Sequence, residues 1–298
     1  MKKQQLQSNI LLLITAAIWG FAFVAQRVGA QYIGPFTFNG IRFALGGISL
    51  LPVLLLNNRH SDEKVKVTSD FRKVIFYGIV AGTVLFIGST LQQAGMKYTT
   101  AGKAAFITGL YIALVPILGL FIKQKVGIST WGGVILAVIG LYFLSINDNF
   151  SIGKGDLLEI IGSIFWALHI LVIDHFLKKA DALKLSFVQI LTCSILSLSA
   201  AFIFEDISFL GISQAIIPIL YGGICSVGIA YTLQVVGQKH AKPSHAAIIL
   251  SMESVFASLG GLIILKENLG ARGYLGCLLM LSGMLLSQFN NIKRAKVQ

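Results

Sequence analysis

The chain has 298 residues, of which 55% are hydrophobic and only 12% are charged. Soluble domains carry about 25% charged residues, so this composition excludes an ordinary soluble protein and indicates one that crosses a membrane many times. The formal net charge of +12 does not indicate nucleic-acid binding, because the basic residues lie between apolar runs rather than in one patch. Cys193, Cys225 and Cys277 all fall inside apolar stretches, which predicts neither a disulfide framework nor a metal site.

In chain order, the hydrophobic segments predict ten membrane-spanning helices. Each has about 20 residues, the length that crosses the apolar core of a bilayer. The sixth is the least apolar, since it carries Glu159 near one end and Asp174 near the other. The predicted spans cover residues 9–28, 35–56, 74–95, 101–122, 129–146, 156–176, 185–204, 213–236, 243–265 and 272–290.

The distribution of Lys and Arg predicts the orientation of these spans. If the N-terminus is cytoplasmic, the cytoplasmic segments hold 17 of the 24 Lys and Arg residues, and the outer loops hold 6. Arg42, inside the second span, is the remaining one. The positive-inside rule therefore predicts a multi-pass protein of the cell membrane with both termini in the cytoplasm.

An internal repeat predicts the architecture. Trp19 and Trp166 lie in similar segments of the two halves, and Leu91-Gln92 recurs at a corresponding position as Leu233-Gln234. The chain is therefore predicted to contain two five-helix halves, 1–146 and 156–298, joined by a polar linker at 147–155. Because five is odd, the second half enters the membrane from the opposite side. Such inverted repeats are typical of secondary transporters, whose substrate site lies near the bilayer midplane between the halves.

Five segments of the sequence form a set of short motifs: Ala-Ile-Trp-Gly-Phe at 17–21, Ile-Arg-Phe at 41–43, Ala-Ala-Phe-Ile-Thr-Gly-Leu-Tyr at 104–111, Leu-Ser-Met-Glu-Ser-Val-Phe-Ala-Ser-Leu-Gly-Gly at 250–261 and Lys-Glu-Asn-Leu at 266–269. This set resembles the EamA family of the drug/metabolite transporter superfamily. The resemblance implies an all-α polytopic protein with ten helices and a central cavity lined mainly by spans 1–4 and 6–9. The sequence departs from the family where Glu-Pro is common, since Ser254 follows Glu253, which leaves open whether span nine is kinked.

Glu253 is the most informative residue of the sequence. It lies ten residues after Pro243, about 15 Å along the ninth span and so near the bilayer midplane. An ionised carboxylate there costs about 2.5 kcal/mol or more, so it must face protein or water. The spacing of Ser254, Ser258 and Gly261 predicts a face that another helix can approach closely. We predict that Glu253 binds a cationic substrate or a proton. The alternative is a buried hydrogen-bonding residue that fixes helix packing.

Aromatic residues are the next candidates. Tyr111 is the repeat partner of Glu253, at the corresponding position of the first half, and could face the same cavity or be a core aromatic. Trp19 and Trp166 lie in mid-membrane rather than in the interfacial belts where Trp is common. They are predicted to form cavity walls that favour cations, with simple packing as the alternative.

Four polar residues complete the candidate set. Arg42 could hold a substrate carboxylate or phosphate, or could instead bond to helix-end carbonyls. Gln92 and Gln234 could line the pathway or tie helices together. His169 could face the cavity, but it does not share a helix face with Asp174 or His175, which argues against a metal site.

The predicted function is a secondary carrier for a small organic molecule across the membrane, with no enzymatic activity, cofactor, metal or nucleic-acid partner. Export of an amine, an amino acid-like metabolite or a cationic drug fits the candidate residues, with proton exchange as the coupling reaction. An integral membrane enzyme is the alternative, but its catalytic side chains would converge at a membrane interface rather than at midspan. A non-transporting scaffold fits the internal symmetry less well. The oligomeric state stays open.

The orientation can be tested with reporters that are active on only one side of the membrane. We expect a reporter after Lys64 or at Gln298 to be cytoplasmic, and one at Lys154 or Ser208 to be outside, because an odd number of spans separates the two groups. Finding Lys64 and Lys154 on the same side would contradict the inverted repeat.

Overall fold

The computed structural model describes residues 2–59, 71–123, 126–145, 153–266 and 270–294, and these ranges contain helices but no strand. The predicted linker at 147–155 lies mostly outside them. The helices are α1 Lys2–Gly29, α2 Pro35–Arg59, α3 Phe71–Gly95, α4 Ala101–Thr108, α5 Tyr111–Phe121, α6 Ile128–Ser145, α7 Lys154–Leu177, α8 Ala182–Phe204, α9 Phe209–Gln214, α10 Ile216–Leu220, a π-helical segment Tyr221–Tyr231, α11 Thr232–Gln238, α12 Pro243–Leu250, α13 Glu253–Ile264 and α14 Gly270–Arg294.

Within these ranges, eight segments are long and apolar enough to cross a membrane. They coincide with predicted spans one to four and six to nine, which confirms those spans by length and composition. The predicted fifth span corresponds to α6, whose apolar part Ile128–Gly140 is shorter, and the predicted tenth lies within α14. These two spans stay predictions. The eight segments are Gln4–Gly29, Pro35–Leu55, Phe71–Gly95, Ala101–Phe121, Lys154–Leu177, Ala182–Phe204, Ile216–Gln238 and Pro243–Ile264.

The outer surface of the bundle is apolar. Large side chains such as Phe76, Phe202 and Ile217 are mostly exposed, whereas Arg42, Glu159 and Glu253 are buried. A bilayer cannot hydrogen-bond to a polar group, so a membrane protein places polar side chains inside and apolar ones outside. The distribution of side chains therefore agrees with a bundle surrounded by lipid.

Close helix contacts depend on glycine. Gly20 of α1 lies against α13, where an added Cβ would be 2.8 Å from both Glu253 O and Ala257 N. Gly223 of the π-helical segment faces α2 in the same way, because its Cβ would lie 2.7 Å from Leu45 Cβ. Without side chains at these positions the backbones approach closely, which is how helices associate in membranes.

Helices α6 and α14 form a pair with reciprocal glycine contacts. A Cβ on Gly140 would lie 2.7 Å from Gly276 O, and one on Gly283 would lie 2.6 Å from Gly133 O. The spacing from Gly133 to Gly140 in α6 is the same as that from Gly276 to Gly283 in α14. The two helices therefore use corresponding glycines to contact each other's backbone.

Two of the spans are interrupted at corresponding positions of the predicted repeat. Between α4 and α5, Leu110 N donates to Ile107 O at 3.1 Å, and between α12 and α13, Met252 N donates to Ile249 O at 3.1 Å. These i→i−3 bonds are of the 3₁₀ type. Span nine is thus interrupted even though the proline common in the family is absent. Ser251 Oγ donates to Ile248 O at 2.9 Å, a bond type that bends helices.

The contact between α1 and α13 can be tested with a matched pair of variants. Gly20→Val should lower the free energy of unfolding by about 1–3 kcal/mol, because the new side chain meets backbone atoms that cannot turn aside. Gly127→Val is the control, since no heavy atom lies within 4 Å of a Cβ at Gly127. Unfolding of the purified proteins in detergent is the measurement. Equal stability of Gly20→Val and the parent would contradict the close approach.

Candidate functional site

A small central cavity lies between the two interrupted spans. Thr108 and Tyr111 flank the first interruption, Leu250 and Glu253 flank the second, and all four line the cavity. Its volume is about 30 Å³, which has room for water but is far below the roughly 300–1,000 Å³ of typical ligand sites. The protein is therefore closed around the centre of the bundle. The lining residues are Trp19, Phe23, Gln26, Arg42, Gln92, Thr108, Tyr111, Trp166, Ile170, Ser226, Tyr231, Gln234, Leu250 and Glu253.

The fold brings seven of the eight candidate residues to this one cavity. Trp19 comes from α1, Arg42 from α2 and Gln92 from α3, so the first half of the chain supplies much of the wall. His169 is the exception and does not line the cavity. The seven are Trp19, Arg42, Gln92, Tyr111, Trp166, Gln234 and Glu253.

Glu253 is the first residue of α13, and only 3% of it is exposed. Among the described residues its Oε1 has no hydrogen-bond partner, and no Lys, Arg or His forms an ion pair with its carboxylate. The Tyr111 side chain is close enough to interact with it electrostatically, although Tyr111 Oη forms no hydrogen bond of good geometry with described atoms. The carboxylate is thus available to a positively charged or hydrogen-bonding ligand.

Arg42 supplies the opposite charge. The residue is 2% exposed, and its Cζ lies 5.4 Å from the centroid of the Phe38 ring and 5.1 Å from that of Phe43. These cation–π contacts hold the guanidinium in place. Within the described part of the chain, Nε has no hydrogen-bond partner and no carboxylate pairs with the guanidinium. In that part of the chain, Arg42 is therefore a buried cation without an anion.

Three aromatic side chains form one wall of the cavity. The Trp19 ring lies 4.8 Å from that of Tyr231 and 6.5 Å from that of Trp166, and the Trp166 and Tyr231 rings are 6.3 Å apart, centroid to centroid. Trp19 Nε1 donates to Ser226 O at 3.2 Å. Ser226 belongs to the π-helical segment, a rare geometry that often occurs at functional sites. This wall can receive the apolar or cationic part of a ligand.

His169 lies behind this wall rather than in it. Its Nε2 is 2.9 Å from Gln189 Oε1, and its ring stands edge-on to Trp166 at 6.3 Å and to Tyr231 at 6.4 Å. It therefore fixes the orientation of the two cavity aromatics. The described residues contain no group of three or more His, Cys, Asp or Glu side chains that could hold a metal.

The two glutamines have different environments. Gln92 Nε2 donates to Thr108 Oγ1 at 3.2 Å, so it ties α3 to the end of α4 while lining the cavity. Gln234 Oε1 has no hydrogen-bond partner among the described residues. Both roles considered for these residues, cavity lining and helix tying, thus occur together at Gln92.

A second, larger cavity of about 700 Å³ lies at the loops that follow α1 and α3. Arg27, Lys97 and Asp206 are its charged lining residues. Gln26 lines the central cavity and Gln93 lines the larger one, and Gln93 Nε2 donates to Gln26 O at 3.1 Å. This bond therefore joins a residue that lines one cavity to a residue that lines the other.

The serine face of α13 ties the two interruptions together. Ser254 Oγ donates to Ala105 O at 2.7 Å, which joins α13 to α4. Ser258 Oγ donates to Ser254 O at 2.9 Å within α13. Ser254, Ser258 and Gly261 are all buried, as the small-residue spacing predicted. A movement of α13 would therefore displace or break this hydrogen bond to the last turn of α4.

Sequence reasoning missed several cavity residues. Tyr231 stands one helical turn before Gln234, and Thr108 one turn before Tyr111, so each shares a face with a residue that was identified. This spacing was the available signal. Phe23, Gln26 and Ser226 carried no signal in the sequence, because an aromatic, an amide and a serine are common in the core of a helical membrane protein.

Known proteins resemble this chain in sequence and in fold along most of its length. The family model described as the EamA-like transporter family matches residues 6–146 and 153–289. An uncharacterized transporter of Archaeoglobus fulgidus is 32% identical over 95% of this chain and 86% of its own. The uncharacterized transporter YoaV of Bacillus subtilis is 22% identical over 93% of this chain and 95% of its own. A crystal structure with 16% identity superposes with a TM-score of 0.77 over 95% of this chain and 96% of that one, which shows a shared fold.

Proposed function

Because the chain belongs to the EamA-like transporter family, we propose that it exports a small zwitterionic metabolite of the amino acid type by alternating access. The observation that carries this proposal is the cavity itself, where the acid Glu253 and the base Arg42 line one space with an aromatic wall, and neither forms an ion pair with a described residue. Fold and family support a membrane transporter. The substrate class is inferred from the charges.

The opposite charges favour a substrate that carries both an ammonium and a carboxylate. A buried charge without a partner is strongly unfavourable, so a ligand that pairs with it gains binding free energy. A purely cationic substrate would satisfy Glu253 and leave Arg42 without an anion. A zwitterion satisfies both, since the planar guanidinium binds a carboxylate through two parallel bonds. The aromatic wall of Trp19, Trp166 and Tyr231 then receives the side chain of the substrate.

The proposed architecture consists of ten spans in two inverted repeats. The matched 3₁₀ interruptions, which precede the repeat partners Tyr111 and Glu253, support it. So do Lys123 and Lys266, which follow the two interrupted spans and take φ values of 59° and 57°, a backbone conformation uncommon outside glycine. In this arrangement α6 and α14 are the fifth and tenth spans, and both termini are cytoplasmic in the cell membrane.

Alternating access begins from the closed cavity. A cavity of about 30 Å³ is too small for an amino acid, so binding requires the helices around it to move apart. The larger cavity at Arg27 and Lys97 lies on the outer side in the proposed orientation. We expect opening to that side to break the bond between Gln93 Nε2 and Gln26 O, because it joins the linings of the two cavities. Discontinuous helices at a repeat interface are where secondary carriers bind their substrates.

Proton coupling follows from competition at Glu253. A proton and a substrate ammonium cannot both occupy one carboxylate, so protonation from outside releases the substrate there and export is exchanged for proton entry. The titratable groups that act on Glu253 electrostatically are Tyr111 from α5, Tyr231 from the π-helical segment and Glu159 from α7. Arg42 from α2 is the other charged residue that lines the cavity. We assign the coupling to Glu253 because it is the acid that lines the cavity.

The contributions of Arg42 and Glu253 to binding can be tested separately with matched ligands. A panel of amino acids is first screened against the purified parent by quenching of tryptophan fluorescence. Arg42→Gln should then weaken the binding of the amino acid found in the screen by about tenfold to a hundredfold, since hydrogen bonds to charged groups contribute about 1.5–3 kcal/mol. It should not weaken the binding of the matching amine that has no carboxylate. Glu253→Gln should weaken the binding of the amino acid, but not the binding of the matching carboxylic acid that has no amino group.

Lys178→Gln is the control for the loss of a positive charge, because Lys178 is exposed and pairs with Asp174 at 3.1 Å. It should bind all three ligands as the parent does. Equal weakening of amino acid, amine and acid by Arg42→Gln would contradict a direct contact with the substrate carboxylate.

The pH dependence tests proton coupling separately. In the parent, binding should weaken as the pH falls, because the carboxylate that holds the ammonium becomes protonated. Glu253→Gln cannot ionise, so its residual binding should not change with pH, and a pH gradient should drive its transport in liposomes less strongly than that of the parent. Glu253→Asp should retain part of both. If Glu253→Gln transports like the parent at every pH, this residue does not couple the two fluxes and serves helix packing instead.

A further inference from the structure

A second buried carboxyl group lies outside the cavity. Glu159, in the first turns of α7, is fully buried. Its Oε2 accepts a hydrogen bond from Thr108 Oγ1 at 2.8 Å, and its Oε1 has no partner among the described residues. Burying a polar atom without a hydrogen bond is unfavourable, and burying a charge is more so. The free oxygen therefore indicates a group that takes up a ligand.

Glu159 is connected to the central cavity by a chain of hydrogen bonds. Gln92 Nε2 donates to Thr108 Oγ1 at 3.2 Å, and Thr108 Oγ1 donates to Glu159. Gln92 and Thr108 both line the cavity, and Thr108 is the last residue of α4 before its interruption. The protonation state of Glu159 is thereby transmitted to the cavity wall and to the end of α4.

The space around the free oxygen is too small for most ligands. A Cβ on Gly95 would lie only 2.8 Å from Glu159 Oε1, so the glycine makes room for that oxygen and little more. Hydrated or organic cations do not fit between them. A proton needs no additional volume, which makes it the ligand that this position can accept.

The neighbouring charges do not compensate Glu159. Asp156, one turn earlier, pairs with Lys103 at 2.7 Å and accepts bonds from Thr99 Oγ1 at 3.2 Å and Gly153 N at 2.8 Å. Lys154 lies over the Tyr98 ring at 5.1 Å. Glu253 is the other acid that acts on Glu159 electrostatically. In the described part of the chain no basic group forms an ion pair with Glu159.

We propose that Glu159 is a second proton-binding site of this carrier, linked to the substrate cavity through Thr108 and Gln92. The proposal rests on the carrier function proposed above and adds a site to it. In the closed state Glu159 holds its proton, because a charge there would have no partner of opposite sign among the described residues. When the helices separate, water reaches the carboxyl group and the proton can leave, which couples the exchange of a proton to the opening of the cavity.

The site can be tested on the parent without any substrate. An apolar carbodiimide is too large for the closed site, so it should react with the protonated carboxyl group of Glu159 when the helices separate, and mass spectrometry identifies the labelled residue. We expect labelling of Glu159 that decreases as the pH is raised. Asp156 is the internal control and should stay unlabelled, because Lys103 holds it as a carboxylate. Absence of label on Glu159 at every pH, with Glu253 labelled, would overturn the proposal while leaving the proposed function intact.

Two variants extend the test to transport. Glu159→Gln keeps the shape and the acceptor for Thr108 but cannot ionise, so it should bind the substrate as the parent does and move about one proton fewer per substrate. Thr108→Val removes the hydrogen bonds that connect Glu159 to Gln92 while leaving Glu159 in place. The carbodiimide should therefore still label Glu159, but this variant should also move about one proton fewer per substrate. An unchanged number of protons per substrate in Glu159→Gln would overturn the proposal. Failure of the proposed function would instead appear as absence of ligand binding in the parent.

Discussion

The structure depends on holding an acid and a base, without partners among the described residues, inside a bundle whose exterior is apolar. Arg42 and Glu253 are both almost fully buried, and each would be strongly unfavourable in contact with lipid. The cation–π contacts of Arg42 and the hydroxyl of Tyr111 near Glu253 only partly replace water. Such an arrangement persists because the packed helices around it allow no alternative. It leaves an acid and a base in the lining of one cavity.

The packing that holds this centre is achieved by backbone contacts. Gly20 brings α1 against the carbonyl of Glu253, and Gly223 brings the π-helical segment against α2, the helix of Arg42. Because the glycines contribute no side chains to these contacts, a small rotation of one helix changes them at once. Interior packing of this density tends to have discrete arrangements rather than a continuous range. Closed and open states of the cavity are therefore expected to differ by movements of whole helices.

The interrupted spans connect the cavity residues Tyr111 and Glu253 to the helices that are expected to move. Tyr111 and Glu253 each begin the helix that follows an interruption, and Ser254 connects one interruption to the other through Ala105. A ligand at Glu253 therefore acts on the same turn that sets the direction of α13. This physical connection is what a carrier needs if substrate binding is to bias its conformation. Part of the site was readable from the sequence, because charged residues and tryptophans are uncommon at the centre of apolar spans.

The sequence by itself determined the class of protein, the eight spans found in the described part of the chain, and the candidates Glu253, Arg42, Trp19 and Trp166. Length and hydropathy suffice for the spans, because a bilayer imposes one requirement on every spanning segment. Only the tertiary structure decided that these four residues meet in one cavity, that His169 lies behind its wall, and that Glu159 is linked to it. Those facts depend on how helices distant in the chain rotate and pack, and helical periodicity within one segment carries no information about the rotation of its neighbours.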